Sequence, residues 1–164
     1  MPLTLIDRID ELVPGERIVA HKCLTMAEEY LDDHFPRFPV MPGVLMVETM
    51  TQAAAWLIRA SEDFAHSIVV LREARNVKFA DFVRPGQVLR VTAEVLKHNE
   101  KETQLKAQGT VDGEPAVSGR LILGRYNQGE SHPARAALDE YTKRDLRKLF
   151  GLIYDPHAGG ESGH

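Results

Sequence analysis

The segment GVLMVETMTQAAAWLIRAS, residues 43–61, dominates the architecture of this 164-residue chain. Its apolar side chains fall on nearly every face of a 3.6-residue helix, and a helix of that kind is buried. Such a helix has no polar face to leave in water, so a sheet must cover it. The segment therefore predicts a central helix from Gly43 to Ser61 inside an α+β layer structure.

Alternating apolar and polar residues predict the strands of that sheet. The expected strands cover residues 3–11, 16–24, 67–79, 87–97, 102–111 and 116–125. The dipeptide Asp112-Gly113 between the last two strands is a strong hairpin signal, since both residues tolerate the backbone of a tight turn. Thr25 is expected to cap a short helix over residues 27–31. The pattern predicts five or six antiparallel strands packed against the central helix.

Three prolines stiffen the chain before the central helix. Pro36, Pro39 and Pro42 fix their own φ at about −65°, and each biases the preceding residue away from the α region. The helix is therefore expected to begin at Pro42, where a missing N–H group is unneeded. Gly43 has no side chain, so another molecule can approach the free N–H groups that follow.

A histidine and a carboxyl group lie on either side of these prolines. His34 precedes Glu48 by fourteen residues, and Gln52 lies four residues further along the same helix face. A buried carboxyl group that stays neutral can donate a proton, whereas a neutral histidine can accept one. The pair is therefore a candidate base and acid. The alternative is that His34 is an ordinary loop residue and that Glu48 faces water.

Two segments resemble those of a known enzyme family. His34-Phe35-Pro36, then Pro39-Val40-Met41-Pro42-Gly43-Val44-Leu45, then Glu48 and Gln52, closely resemble the signature of the FabZ-type (3R)-3-hydroxyacyl-[acyl-carrier-protein] dehydratases. Asn76-Val77-Lys78-Phe79 with Val83-Arg84-Pro85-Gly86-Gln87-Val88-Leu89 resembles the strand, loop and Pro-Gly turn of the same family. The resemblance covers about residues 3–126. It implies a hot-dog fold, although Arg37 stands where the family usually has Gly.

The resemblance also implies roles for particular residues. In that family the histidine removes a proton from C2 of the acyl thioester, and the partner subunit's glutamate protonates the departing 3-hydroxyl group. The helix N-terminus polarises the thioester carbonyl. The matching groups here are His34, Glu48 and the N–H group of Gly43. The implied substrate-binding residues are Phe35, Met41, Gly43, Val44, Gln52 and Phe79. The implied partner is acyl carrier protein with its acyl-phosphopantetheine group.

The composition narrows the classes of function. Hydrophobic residues make up 43% of the chain and charged residues 27%, and the net charge of −4 gives no reason to expect nucleic acid or an anionic membrane as a partner. The longest apolar runs are too short to span a bilayer, so insertion into a membrane is not expected. The N-terminus lacks the pattern of a signal peptide, and the lone Cys23 fits a reducing cytoplasm. The seven histidines lack the spacing of metal ligands, and no Gly-rich phosphate loop follows a strand. We therefore expect a cytoplasmic protein that works without a metal or a cofactor.

The composition changes after residue 125. Residues 127–133 predict a linker into a second helix from about Pro133 to Leu149 or beyond. This helix has an apolar stripe formed by Leu138, Tyr141, Leu146, Leu149, Phe150 and Ile153. Its other face carries Lys143, Arg144, Arg147 and Lys148. We expect it to pack on its own sheet or on a neighbouring subunit. The predicted organisation is a hot-dog dehydratase-like domain, residues 1–126, and a C-terminal extension, residues 127–164, with a loose Gly-rich end.

Together with the candidate base and acid, the family resemblance implies a hydro-lyase that converts a (3R)-3-hydroxyacyl thioester of acyl carrier protein into the trans-2-enoyl thioester, in fatty acid or related acyl-chain biosynthesis. An all-round apolar helix has more surface than one sheet covers, so we expect a homodimer or a trimer of such dimers. Two alternatives are a non-catalytic hot-dog module for acyl binding or assembly, and a hot-dog acyl thioesterase. His34 and Glu48 argue against the first, and a thioesterase has no need of the His-Phe-Pro segment.

Overall fold

The computed structural model describes residues 4–28, 31 and 39–157. In order along the chain, its regular elements are β1 Arg8–Val13, β2 Arg17–Cys23, α1 Gly43–Ser61, β3 Ile68–Phe79, β4 Val88–His98, β5 Glu102–Val111, β6 Glu114–Tyr126 and α2 Ala136–Ile153. Two 3₁₀ turns, Gln128–Glu130 and Pro133–Arg135, connect β6 to α2. Within the described ranges, no helix is both long and apolar enough to cross a membrane.

The six strands form one antiparallel sheet in the order β1-β2-β4-β5-β6-β3. The sheet wraps around α1, which contacts every strand. This arrangement confirms the α+β hot-dog class, the central helix with its predicted bounds and the C-terminal helix. Asp112 and Gly113 have φ values of 52° and 81° between β5 and β6, so the predicted hairpin turn is confirmed.

The first strand begins later than predicted, and the predicted short helix lies only partly within the described residues. β1 begins at Arg8 rather than residue 3, because Leu5 and Ile6 are both buried and therefore break the strand alternation. The Leu5 N–H group donates to the side chain of Gln52 instead of to a neighbouring strand. Near the predicted short helix, the Thr25 hydroxyl accepts a hydrogen bond from the Ala27 N–H at 3.3 Å. Residues 29 and 30 of that helix lie outside the described ranges.

The sheet covers only part of the central helix. Ten α1 residues are buried, but Val44 is 74% exposed and Glu48 is exposed as well. The expectation that α1 is buried on every face is therefore wrong for the single chain. The uncovered face lies between the two edge strands of the curled sheet, β1 and β3. Among the described residues outside the sheet, α2 supplies further cover for α1.

Helix α2 covers the C-terminal half of that open face. Phe150 packs against Trp56 and Phe64 of the core, with ring centroids 5.9 and 5.6 Å apart. Tyr154 forms a bridge with Ile9 of β1. Helix α2 thus packs within its own subunit, but on α1 and the turn that follows it rather than chiefly on the sheet. Only part of the predicted stripe is used, since Leu138 and Tyr141 are exposed.

Asp139 takes the inward position that the sequence pattern gave to Leu138. Its buried carboxylate accepts hydrogen bonds from the Ser67 hydroxyl and from the N–H groups of Gln128 and Gly129, at 2.9 and 2.7 Å for the two N–H groups. Burial alone would raise the pKa of Asp139, but these hydrogen bonds outweigh it and hold the pKa below its ordinary value. The carboxylate thus joins the start of β3, the linker and α2.

We expect Asp139→Asn to lower the melting temperature at neutral pH by roughly 3–6 °C, because the amide cannot accept all three hydrogen bonds. The pKa of Asp139 is depressed in the folded state, so its contribution to stability is complete above the unfolded carboxyl pKa. It is lost as the pH falls through the lower, folded pKa. Melting curves of the parent and the variant should therefore converge in acid. The exposed residue on the same helix gives the control Asp145→Asn, which should melt with the parent at every pH.

Candidate active site

Helix α1 begins immediately after Pro42, which is the N-cap residue with φ −58° and ψ 142°. Pro42 thus lies immediately before the first helical residue, and the helix begins at Gly43, as the apolar run predicts. Its carbonyl oxygen accepts hydrogen bonds from the N–H groups of Leu45 and Met46, at 3.0 and 3.2 Å. The N–H groups of Gly43 and Val44 come before any carbonyl of the helix that could accept from them. This end of α1 therefore presents N–H donors and the positive end of the helix dipole.

Gly43 and Phe79 are in direct contact. A Cβ atom at position 43 would lie 3.0 Å from Cε1 and 3.1 Å from Cζ of the Phe79 ring, closer than side chains normally approach. The ring is 55% exposed, and the neighbouring Val44 side chain is also exposed. Glycine therefore keeps the first turn of α1 accessible beside an exposed aromatic ring. Three of the predicted substrate-binding residues, Gly43, Val44 and Phe79, lie together here.

Glu48 and Gln52 form a hydrogen-bonded pair one turn further along α1. Gln52 Nε2 donates to Glu48 Oε1 at 3.3 Å, and Gln52 Oε1 accepts from the Leu5 N–H at 2.8 Å. The N-terminal segment thus orients the amide so that its NH₂ group faces Glu48. The carboxylate itself is exposed, so the burial expected from the sequence is wrong for the single chain. The open face between β1 and β3 explains this exposure.

The other predicted site residues have different positions. Met41 is only 2% exposed and belongs to the hydrophobic core, where its N–H group donates to the Val83 carbonyl at 2.9 Å. His34 and Phe35 lie outside the described residues, as does Arg37. The described part of the site therefore consists of the α1 N-terminus with Phe79 and, one turn away, Glu48 with Gln52.

A cavity of about 220 Å³ extends from Glu48 along the open face of α1 to α2. Helix α1 contributes Glu48, Thr51, Gln52, Ala55, Trp56 and Arg59. The opposite wall is formed by Thr4, Val69, Leu146 and Leu149. We call this cavity the α1–α2 cleft. Its α1 residues follow the i, i+3, i+4, i+7 spacing of one helix face, so they line a continuous groove.

Arg59 lies at the end of the α1–α2 cleft away from Glu48. Its guanidinium group lies over the buried Trp56 ring, 5.0 Å from the ring centroid. Burial lowers the pKa of Arg59 to about 10, and the nearby carboxylate of Glu62 offsets this only in part. Arg59 remains a cation at neutral pH.

Sequence reasoning missed Thr51, Arg59 and the two α2 residues of the cleft. Their signal was present in part, because residues 48, 52, 55, 56 and 59 share one helix face. The position of α2 carried no such signal. The packing of Phe150 on Trp56 helps to bring Leu146 and Leu149 to this face.

Comparison with known proteins gives consistent results. The FabA-like domain family matches residues 1–120. The chain is 41% identical over 122 residues to a 3-hydroxyacyl-[acyl-carrier-protein] dehydratase FabZ of Lactiplantibacillus plantarum, a match that covers 74% of this chain and 83% of the relative. A FabZ dehydratase of Oenococcus oeni is also 41% identical over 122 residues, and the match covers 74% of this chain and 88% of that relative.

Solved structures share the fold at lower identity. A subunit of a dehydratase heterocomplex from Xenorhabdus doucetiae superposes with a TM-score of 0.65 at 19% identity, covering 81% of this chain and 90% of that chain. A thioesterase from Pseudomonas aeruginosa gives a TM-score of 0.57 at 16% identity, covering 73% of this chain and 80% of that one. Both kinds of enzyme use this fold, so the fold by itself does not decide the chemistry.

Proposed function

We propose that this chain, which belongs to the FabA-like family and within it to the FabZ-type 3-hydroxyacyl-[acyl-carrier-protein] dehydratases, is a hydro-lyase of fatty acid or related acyl-chain biosynthesis. Its substrate is a (3R)-3-hydroxyacyl thioester of acyl carrier protein, and its products are the trans-2-enoyl thioester and water. The observation that carries this proposal is a glutamate held by Gln52 one turn beyond an accessible helix N-terminus.

The proposed reaction uses three groups. The N–H group at Gly43 hydrogen-bonds the thioester carbonyl, which stabilises negative charge that develops on its oxygen when C2 loses a proton. His34 accepts that proton. Glu48 donates a proton to the 3-hydroxyl group as the C3–O bond breaks, so that water leaves and the C2–C3 double bond forms. Transfer of a proton from His34 back to Glu48, directly or through water, restores the starting state.

The exposure of Glu48 in the single chain supports a site that is completed by a second subunit. A carboxyl group that must donate a proton should be removed from water, because desolvation disfavours its charged form. The uncovered face of α1 carries Val44 and Glu48 and borders β3, the last strand in the sheet order. An edge strand presents unpaired N–H and C=O groups, so a second copy can continue the sheet and cover this face at once.

We therefore expect a dimer, or a multiple of dimers, with a mass in light scattering that is an even multiple of 18.4 kDa. Val44→Glu should shift the protein to a folded monomer, since it places a charge on the face that the second copy covers. Leu152→Glu is the matched control, because Leu152 is 80% exposed and belongs to α2 rather than to the α1 face that carries Val44 and Glu48. A parent protein that is monomeric and fully active would contradict the two-subunit site.

The proposed reaction has a direct test. Incubation with a 3-hydroxyacyl thioester of acyl carrier protein should give a product lighter by one water, detected by mass spectrometry. Free carrier and free hydroxy acid would instead identify a thioesterase, and an unchanged thioester would leave a non-catalytic acyl-binding module. The test thus separates the dehydratase from both alternatives.

Because acyl carrier protein works in the cytoplasm in bacteria, we place the enzyme there as well.

A further inference from the structure

The α1–α2 cleft has a direction relative to the proposed reaction. If the 3-hydroxyl group is at Glu48, the acyl chain beyond C3 can enter the cleft that begins at this residue. The α1–α2 cleft continues from Glu48 along α1 to Arg59. The helix rises by about 1.5 Å per residue, so these two residues are separated by roughly 16 Å along its axis. The far end of an acyl chain of medium length therefore comes close to Arg59.

Arg59 is an unusual group for the end of an acyl pocket. Within the part of the chain that the structure describes, its buried Nε atom has no hydrogen-bond partner. Glu62, the acidic residue nearest in sequence, already contacts His66 at 3.0 Å and Arg125 at 3.4 Å. A buried N–H donor without an acceptor is costly, and a guanidinium group binds carboxylates in a two-point geometry. An apolar chain end alone would leave this cost unrelieved.

We propose that the α1–α2 cleft receives the distal part of the acyl chain, and that Arg59, stacked on Trp56, selects chains whose far end carries a carboxylate. Leu146 and Leu149 of α2 form the apolar wall beside the methylene groups. Helix α2 lies beyond the matched family domain, residues 1–120, so this selectivity is a property added to the common fold. The assignment of the acyl direction rests on the proposed dehydratase function.

A binding experiment tests the selectivity without turnover. Trp56 is the only tryptophan of the chain and lines the cleft, so its fluorescence reports on occupancy. The probes are two saturated N-acetylcysteamine thioesters of equal chain length, one ending in a carboxylate and one in a methyl group. We expect the carboxylate-ended probe to bind the parent protein at least ~10-fold more tightly, as a charge-assisted hydrogen bond allows. This preference should disappear in Arg59→Met and survive in part in Arg59→Lys.

The control variant is Arg144→Met, which removes an exposed arginine of α2 outside the cleft and should keep the preference. Equal affinities of the parent protein for the two probes would overturn the proposal, as would the same loss of preference in Arg144→Met. Neither probe carries a phosphate group, so an effect of Arg59→Met seen only with carrier-bound acyl groups would assign Arg59 to phosphate binding and also overturn it. If the carboxylate preference is found but no water is lost from 3-hydroxyacyl thioesters, the dehydratase function fails while this binding site stands.

Discussion

We expect Glu48→Gln to lower kcat/KM for the dehydration of a 3-hydroxyacyl thioester by at least ~10²-fold, because a positioned general acid contributes about 10² to 10⁴. The amide retains the size of the carboxyl group and can still pair with Gln52, but it cannot release a proton to the departing hydroxyl group. His34→Ala should have an effect of similar size, since it removes the base that accepts the C2 proton. The measurement is the rate of enoyl thioester formation with both variants shown to be folded by their melting curves.

Matched controls separate the chemistry from a general effect of mutation. Glu140→Gln removes an exposed carboxylate of α2, and His132→Ala removes an exposed histidine of the linker. Both should retain the parent rate. If Glu48→Gln and His34→Ala also retain it, the enzyme assignment fails, and the chain is then better explained as an acyl-binding module.

The architecture was largely predictable because two local signals agree with the tertiary structure. The apolar run from Gly43 to Ser61 can be removed from water only if it forms a buried helix, and the observed bounds of that helix are those expected. Asp112-Gly113 determines the register of the last hairpin through backbone torsions that few residues adopt. Predictions of this kind succeed where the physical cause lies within a few residues of the element.

Predictions that depend on what covers a surface were less successful. Glu48 lies in an apolar run, yet it is exposed, because the curled sheet leaves an open face between β1 and β3. The width of that opening depends on sheet curvature, which single-strand patterns do not encode. Likewise, the sequence pattern placed Leu138 in the packing stripe of α2, but the inward position belongs to Asp139. One of its partners, Ser67, is distant in sequence, and another, Gly129, lies in the linker.

The position of α2 relative to the candidate site could not be derived from periodicity. Amphipathicity shows that a helix packs, but it does not show against which surface. Here the aromatic contacts of Phe150 place α2 over Trp56, which leaves the N-terminal half of the open face uncovered. A second subunit can therefore reach Glu48 without displacing α2.

Mixing two inactive proteins should restore activity if the site is shared between subunits. In a dimer of one His34→Ala subunit and one Glu48→Gln subunit, one site combines the intact His34 of the second with the intact Glu48 of the first. Random pairing of equal amounts makes half of the dimers mixed, each with one of two sites intact, so we expect about a quarter of the parent activity. The two variants are unfolded and refolded together, and the rate of enoyl thioester formation is compared with that of each variant refolded alone.

The control for this experiment pairs His34→Ala with the double variant His34→Ala/Glu48→Gln, which offers no intact His34 in any dimer and should stay inactive. Recovery in the test mixture but not in this control requires His34 and Glu48 to act across the subunit interface. If both mixtures remain at the level of the separate variants although light scattering shows that mixed dimers form, each site lies within one chain. The open face of α1 would then need another explanation, because Glu48 would have to be withdrawn from water by residues of its own subunit.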